Sequence, residues 1–192
     1  LKELRAHPDE GWQRELFGAC SRVMVKLTEL PQPVIARVHG IATAAGCQLV
    51  AVCDLAVAAS DARFAVSGVN VGLFCATPGV TLSRNLGRKE AFEMLVTGDS
   101  IDAEEARERG LANRVAPPEA LDAAVEALVA SIVAKPRTAL ALGKALFYRQ
   151  LETGIEAALA DASRTMACNM MDESALEGVQ AFIEKRPPAW KG

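Results

Sequence analysis

The sequence predicts a layered α/β fold that becomes wholly helical toward its C-terminus. Three observations carry this. Between Val34 and Ala59 the chain reads as strand, small-residue run with helix, then strand, the alternation of a layered α/β architecture. Beyond Pro117-Pro118, apolar residues recur at helical spacing almost without a break. Apolar residues make up 51% of the 192, but aromatics only 5%, which suits helices packed closely through Ala and Val.

The elements follow in order. Asp9 can cap a helix with an apolar stripe at Trp12, Leu16, Cys20, Val23, Met24, Leu27 and Leu30, ended by Pro31-Gln32-Pro33. Val34 to Val38 reads as a buried strand closed by His39-Gly40. The small residues Ala42 to Gly46 lead into a short buried helix over Cys47 to Val52, and Asp54 to Ala59 is a second strand. Phe64-Ala65-Val66 is a further short strand. Pro78-Gly79 opens a helix, and another spans Arg88 to Val96. Asp102 with Glu105 three residues on has the form of a capping box, and Gly110 stops that helix. Four helices close the chain, over Glu119–Ala134, Arg137–Gln150, Ile155–Asn169 and Ser174–Glu184. We divide the sequence into an α/β part, 1–116, and a helical part, 117–192.

Charge and cysteine content exclude several classes of function. The net charge of −3 is spread over interspersed acids and bases, so neither nucleic acid nor an anionic membrane is an expected partner. No apolar run is long enough to span a bilayer. Cys20, Cys47, Cys53, Cys75 and Cys168 show no metal-type spacing, and their odd number in apolar segments predicts buried free thiols. No metal site is expected.

The segment from Gly40 to Asp54 is the one most suggestive of chemistry. A strand runs into consecutive small residues that open a helix, and small side chains let a ligand approach the backbone. A helix N-terminus offers unpaired N–H groups and partial positive charge, suited to an anion or a carbonyl oxygen that becomes anionic. Tight helix–sheet packing also selects Ala and Gly, and for this segment alone it is the commoner explanation.

The wider pattern adds to this. Pro33-Val34-Ile35-Ala36-Arg37-Val38-His39-Gly40, Ala44-Ala45-Gly46-Cys47-Gln48-Leu49 and Cys53-Asp54-Leu55-Ala56-Val57-Ala58 closely resemble the enoyl-CoA hydratase/isomerase (crotonase) family. So do Phe64, Val71-Gly72-Leu73, Pro78-Gly79, Glu93 to Asp99 and Phe182-Ile183-Glu184-Lys185-Arg186. The resemblance implies a crotonase-type spiral of ββα units followed by a helical C-terminal trimerisation region. It implies an acyl-CoA thioester as ligand, no cofactor beyond the coenzyme A of that ligand, and a homo-oligomer, either a trimer or a dimer of trimers. It places the backbone N–H of Ala45 as one oxyanion donor and substrate contacts at Lys2, Ala42, Phe182 and Lys185, the last from a neighbouring subunit. The second donor is expected just ahead of a stretch like Leu1-Lys2-Glu3-Leu4, so the chain resembles a member without its N-terminal third or so. The expected compartment is the cytoplasm for a bacterial source and the mitochondrial matrix for a eukaryotic one.

The sequence departs from a hydratase at two positions. The family's hydratases hold a water between two glutamates, and the matching positions here are Gln48 and Gly68. Neither can transfer a proton near neutral pH. A glycine at 68 also suggests a backbone conformation that other residues resist. Gln48 can orient a water or a substrate carboxylate. Two readings stay open, an enzyme that stabilises an enolate with another base and a non-catalytic acyl-CoA-binding subunit. Asp54 and Asp61 read as turn residues, His7 as an exposed turn residue and His39 as structural. Cys75 and Asn70 border the expected acyl pocket, with no histidine placed by sequence to activate Cys75. Lys2, Phe182 and Lys185 read equally well as amphipathic helix surface.

Overall fold

The structure, a computed structural model, describes residues 1–190. Two compact units divide it, one of 1–27 with 34–125 and one of 28–33 with the residues from Glu126 onward. The boundary drawn from sequence at 116/117 falls just before the 3-10 turn that leads into α7.

The first unit winds strand, strand, helix. β1 (Ile35–Val38) turns at Gly40, whose φ of +75° a side chain would strain, into β2 (Ile41–Thr43) and then α3 (Ala45–Val52). β3 (Leu55–Ala59) turns through Ser60–Ala62 into β4 (Arg63–Ala65) and a 3-10 turn over Ser67–Val71. The second pass lies on the first. β1 pairs in parallel with β3 from Ile35↔Leu55, and β2 with β4 from Ile41↔Arg63. β5 (Ser100–Asp102) joins β4 antiparallel, and β6 (Arg114–Ala116) joins β3 in parallel. The sheets are thus β1-β3-β6 and β2-β4-β5, stacked turns of a spiral of ββα units.

Packing explains the composition. Ala56 to Ala59 of β3 are all buried, so the strand is covered on both faces, as parallel strands usually are. Phe64, Leu82, Met94 and Cys47 fill the core around it, contributed by β4, α4 (Ala76–Leu82), α5 (Arg88–Thr97) and α3. Polar side chains pin the layers. Asp54 accepts the Val34 N–H at 2.5 Å, and Asn85 donates to the Ala51 carbonyl at 2.7 Å, tying the end of α3 to α4. Asp102 caps α6 (Ala103–Glu108) through the Glu105 N–H at 2.9 Å, and Glu105 returns a bond to the Asp102 N–H, the reciprocal box read from sequence.

α1 (Lys2–Ala6) and α2 (Glu10–Glu29) precede this spiral. The apolar stripe predicted on α2 is not buried; no residue of that helix is, and Val23 is exposed. The thiol prediction is corrected in the same way. None of the five cysteines is in a disulfide and Cys47 and Cys75 are buried, but Cys20 and Cys168 are exposed and Cys53 is intermediate. Cys20 lies on α2, whose stripe is only partly covered by the described residues.

The second unit is helical, with the part of α7 (Leu121–Val133) from Glu126 onward, α8 (Arg137–Gln150), α9 (Ile155–Met170) and α10 (Glu173–Glu184). Lys144 is its one buried cation among the described residues, donating to the Gln32 carbonyl at 3.0 Å above the Tyr148 ring. After α10, Arg186 forks onto Glu177 at 2.6 and 2.9 Å, and that guanidinium, with the Ala189 N–H, holds the Glu177 carboxyl down to about 2. Met166, Met170 and Met171 of this unit are exposed, as is Phe147, whereas Leu140, Leu142 and Leu146 are partly covered.

Candidate functional site

The site is built where β2 ends. Its hinge is Ala44, with φ +48° and ψ −114°, a conformation an L-residue rarely takes and one worth roughly 1–3 kcal/mol of strain. Two bonds hold it. The Ala44 N–H donates to the Ala65 carbonyl at 3.0 Å, and the Ala44 carbonyl accepts the Gln48 N–H at 3.0 Å as the first bond of α3. The hinge throws the helix back over the sheet and leaves Ala45 and Gly46 exposed at its start. The first N–H groups of a helix have no acceptor within it and carry its partial positive charge, so this turn can meet an oxygen that gains negative charge.

Gln48 lies one turn beyond Ala45 and is 4% exposed, a neutral amide within α3, the helix that packs on α4 and β2. Gly68 lies in the 3-10 turn after β4. A Cβ there would come 2.1 Å from the Leu73 carbonyl oxygen and 2.7 Å from the Cys75 Sγ. Its φ is not in the left-handed region. The suggestion of a special backbone conformation is therefore replaced by a different reason. The chain doubles back on itself, with the Leu73 N–H bonded to the Gly68 carbonyl at 2.9 Å, and occupies the space a side chain would need.

Because β2 and β4 pair in parallel, the segments carrying Gln48 and Gly68 leave the sheet side by side. Their first polar groups meet there, with Thr43 Oγ1 and Ser67 Oγ 3.5 Å apart. Sequence reasoning missed this pair. β2 has only three residues, too few for an alternating pattern to be visible, although Ile41 and Thr43 do face out while Ala42 faces in.

The remaining candidates fall in different places. The Ala42 methyl, 8% exposed, packs in the core, so only its backbone is open to a ligand. Cys75 is buried beside Gly68, and burial pushes the neighbouring Cys47 thiol up to about 12, which keeps it protonated and unreactive. Asn70 packs against Gly98. Asp54 fixes a strand end, and Asp61 is exposed in the turn before β4, as their sequence contexts implied. His39 contacts Arg37 at 3.2 Å, and Arg37 in turn pairs with Asp122. His7 stacks on Trp12 with ring centroids 4.3 Å apart. In the first unit Lys2 is exposed on α1. In the second, Phe182 is 85% exposed and Lys185 caps α10 with φ +54°. A cavity of about 640 Å³ lined by Ser83, Arg88, Phe92 and Leu95 contains none of the catalytic or substrate-binding candidates read from sequence. Among the described residues no group of three or more His, Cys, Asp or Glu could hold a metal ion, and no helix is long and apolar enough to cross a membrane.

Two stability predictions follow from this geometry. Ala44→Gly relieves the hinge strain and is expected to raise unfolding free energy by about 1 kcal/mol. A lowered urea midpoint would contradict the strain. Gly68→Ala must displace the Leu73 carbonyl and is expected to cost about 1–3 kcal/mol. An unchanged midpoint would show that the loop yields freely.

Comparison with known proteins establishes the family. Residues 5–192 match the family model described as enoyl-CoA hydratase/isomerase. The chain is 46% identical over 190 residues to enoyl-CoA hydratase domain-containing protein 3, mitochondrial, of Rattus norvegicus, covering 99% of this chain and 63% of that protein. It is 35% identical to the crotonyl-CoA hydratase of Syntrophomonas wolfei, covering 88% of this chain and 66% of that enzyme. The chain thus spans less than two thirds of the length of the first of these curated relatives. Among solved structures, an enoyl-CoA hydratase from Mycobacterium smegmatis superposes with a TM-score of 0.98 at 68% identity, over 99% of this chain and 74% of that one. The human enoyl-CoA hydratase domain-containing protein 3 superposes with a TM-score of 0.94 at 46% identity, over 98% of this chain and 75% of that one. With the ββα spiral, the strained turn into α3 and a family match over nearly its whole length, this chain belongs to the enoyl-CoA hydratase/isomerase family.

Proposed function

We propose that this chain binds an acyl-CoA thioester and polarises its carbonyl through the Ala45 N–H, without the carboxylate pair of a hydratase. One observation carries the reading. The hinge exposes the start of α3, while the positions that the family resemblance assigns to proton transfer hold a neutral Gln48 and a Gly68 closed off by the Leu73 carbonyl. Polarising the carbonyl lowers the cost of forming an enolate at the adjacent carbon. Adding water to an enoyl thioester further requires a base for the water and an acid at the α-carbon, and these two residues supply neither.

The same observation favours a second reading, a non-catalytic acyl-CoA-binding subunit. In both, no cofactor is required beyond the coenzyme A of the ligand. Self-association as a trimer or a dimer of trimers is part of the proposal, supported by the exposed Met166, Met170 and Met171 of the second unit. Lys2, Phe182 and Lys185 are proposed as coenzyme A contacts, supported by their exposure. The rat relative is named mitochondrial. By that likeness the proposed compartment is the mitochondrial matrix for a eukaryotic source and the cytoplasm for a bacterial one.

The test is turnover of a short enoyl-CoA by the full-length protein, with products identified by mass. General acid–base groups contribute roughly two to four decades each. The expected hydration rate is therefore at least about a hundredfold below the ~10 per second of an ordinary enzyme. A rate at that ordinary level would refute the roles assigned to Gln48 and Gly68. Conversion of other thioesters selects the enzyme reading, and tight binding without conversion selects the binding subunit.

A further inference from the structure

The segment that follows α10 has no part in thioester polarisation, and it folds back on its own helix within the second unit. Lys185 takes the left-handed conformation, with φ +54°, and its N–H and that of Arg186 return to the Phe182 and Ala181 carbonyls. The chain reverses there, and Pro187-Pro188 stiffens the return. Arg186 forks onto Glu177 of α10 at 2.6 and 2.9 Å, and the Ala189 N–H donates to the same carboxylate at 2.8 Å. Trp190, half-buried, then lies across α10 at Gly178 and donates its indole N–H to the Ala134 carbonyl at 3.0 Å, just beyond α7. A Cβ on Gly178 would come within 3.0 and 3.3 Å of two carbons of that ring. Glycine inside a helix is unfavourable relative to alanine. The crossing indole accounts for it here.

We propose that residues 185–190 form a releasable strap, which when closed seats Trp190 on Gly178 and which opens as a unit while the helices beneath it stay folded. The anchors are such that opening is separate from unfolding. The fork is partly exposed, with the Arg186 side chain at 38% and that of Glu177 at 26%, so water and salt compete for it. Neither the fork nor the indole bond belongs to the backbone ladder of α10, so releasing both leaves the bonds of that helix in place. Pro187 and Pro188 limit the freedom gained by the released chain, which favours reclosing. The consequence is a change in the surface of this unit. Closed, the indole is one wall of an apolar groove of about 360 Å³, whose other walls include Pro136, Ala139, Met170, Val179 and Phe182. Open, the strap leaves that apolar face of α10 to water. The Arg186–Glu177 pair therefore sets how much apolar surface the unit presents.

The experiment is hydrogen exchange of the full-length protein at neutral pH. The Trp190 indole N–H is read by NMR, with Trp12→Phe to assign the two indole signals, and the α10 amides by mass spectrometry. In the wild type the indole proton is expected to be protected, yet to exchange at least about tenfold faster than the α10 amides. Glu177→Gln keeps the shape and removes the charge, and is expected to speed indole exchange about threefold with the amides unchanged. Added salt is expected to act in the same direction on the wild type, which needs no variant to fold. Gly178→Leu puts a side chain where the indole lies. It is expected to abolish the indole's protection and leave the amides protected, since leucine favours a helix. An indole that exchanges at the rate of the α10 amides overturns the proposal, because the strap then opens only with the unit. So does an indole unprotected in the wild type, a rate unmoved by both salt and Glu177→Gln, or protection that survives Gly178→Leu.

Discussion

The hydrogen bond from the Ala44 N–H to the Ala65 carbonyl is the contact on which the rest of the site depends. It ties the end of one spiral turn to the strand of the next and holds an alanine at φ +48° against its own preference. Released, β2 would run on as an extended chain and α3 would start elsewhere. Held, it starts α3 at the end of β2 with Ala45 and Gly46 exposed. The parallel pairing of β2 with β4 makes this possible, because it brings Ala65 level with Thr43, one residue before the hinge. The strain is thus sustained by the stacking of repeats, the kind of over-determination under which strained residues persist.

That frame separates two functions often found together, binding a thioester carbonyl and moving protons beside it. The first needs only backbone N–H groups, which any residue except proline can supply. The second needs carboxylates of suitable pKa, and this chain has an amide at 48 and no side chain at 68. Nor is position 68 simply an empty socket. The Leu73 carbonyl and the Cys75 thiol fill the volume into which a side chain would grow. The buried Cys47, raised to about 12, supplies no nucleophile in its place.

Much of the fold was legible in the sequence, for identifiable reasons. Long periodic segments such as 137–150 and the reciprocal cap of Asp102 with Glu105 appear in the structure where they were read. The three-residue strands β2, β5 and β6 were not read as strands, since their positions are set by partners distant in sequence. For the same reason the outward Thr43 and its neighbour Ser67 escaped notice. The apolar stripe of α2 and the exposure of Cys20 misled in the other direction. Periodicity reports a face that could be covered, and here the described residues cover it only in part. Gln48 and Gly68 were visible only as substitutions in a family pattern. That Gly68 is enforced by the close return of the backbone needed coordinates.

The central claim, that the first turn of α3 polarises a thioester carbonyl, is tested most directly by vibrational spectroscopy of the bound ligand. Infrared difference spectra of the full-length protein with a butyryl-CoA carrying ¹³C at the thioester carbonyl isolate that one stretch. Hydrogen bonding from the Ala45 N–H draws electron density toward the oxygen and weakens the double bond. The predicted result is a stretching frequency lower for bound than for free ligand. A bound thioester whose carbonyl vibrates at the frequency found in water or higher would contradict the account.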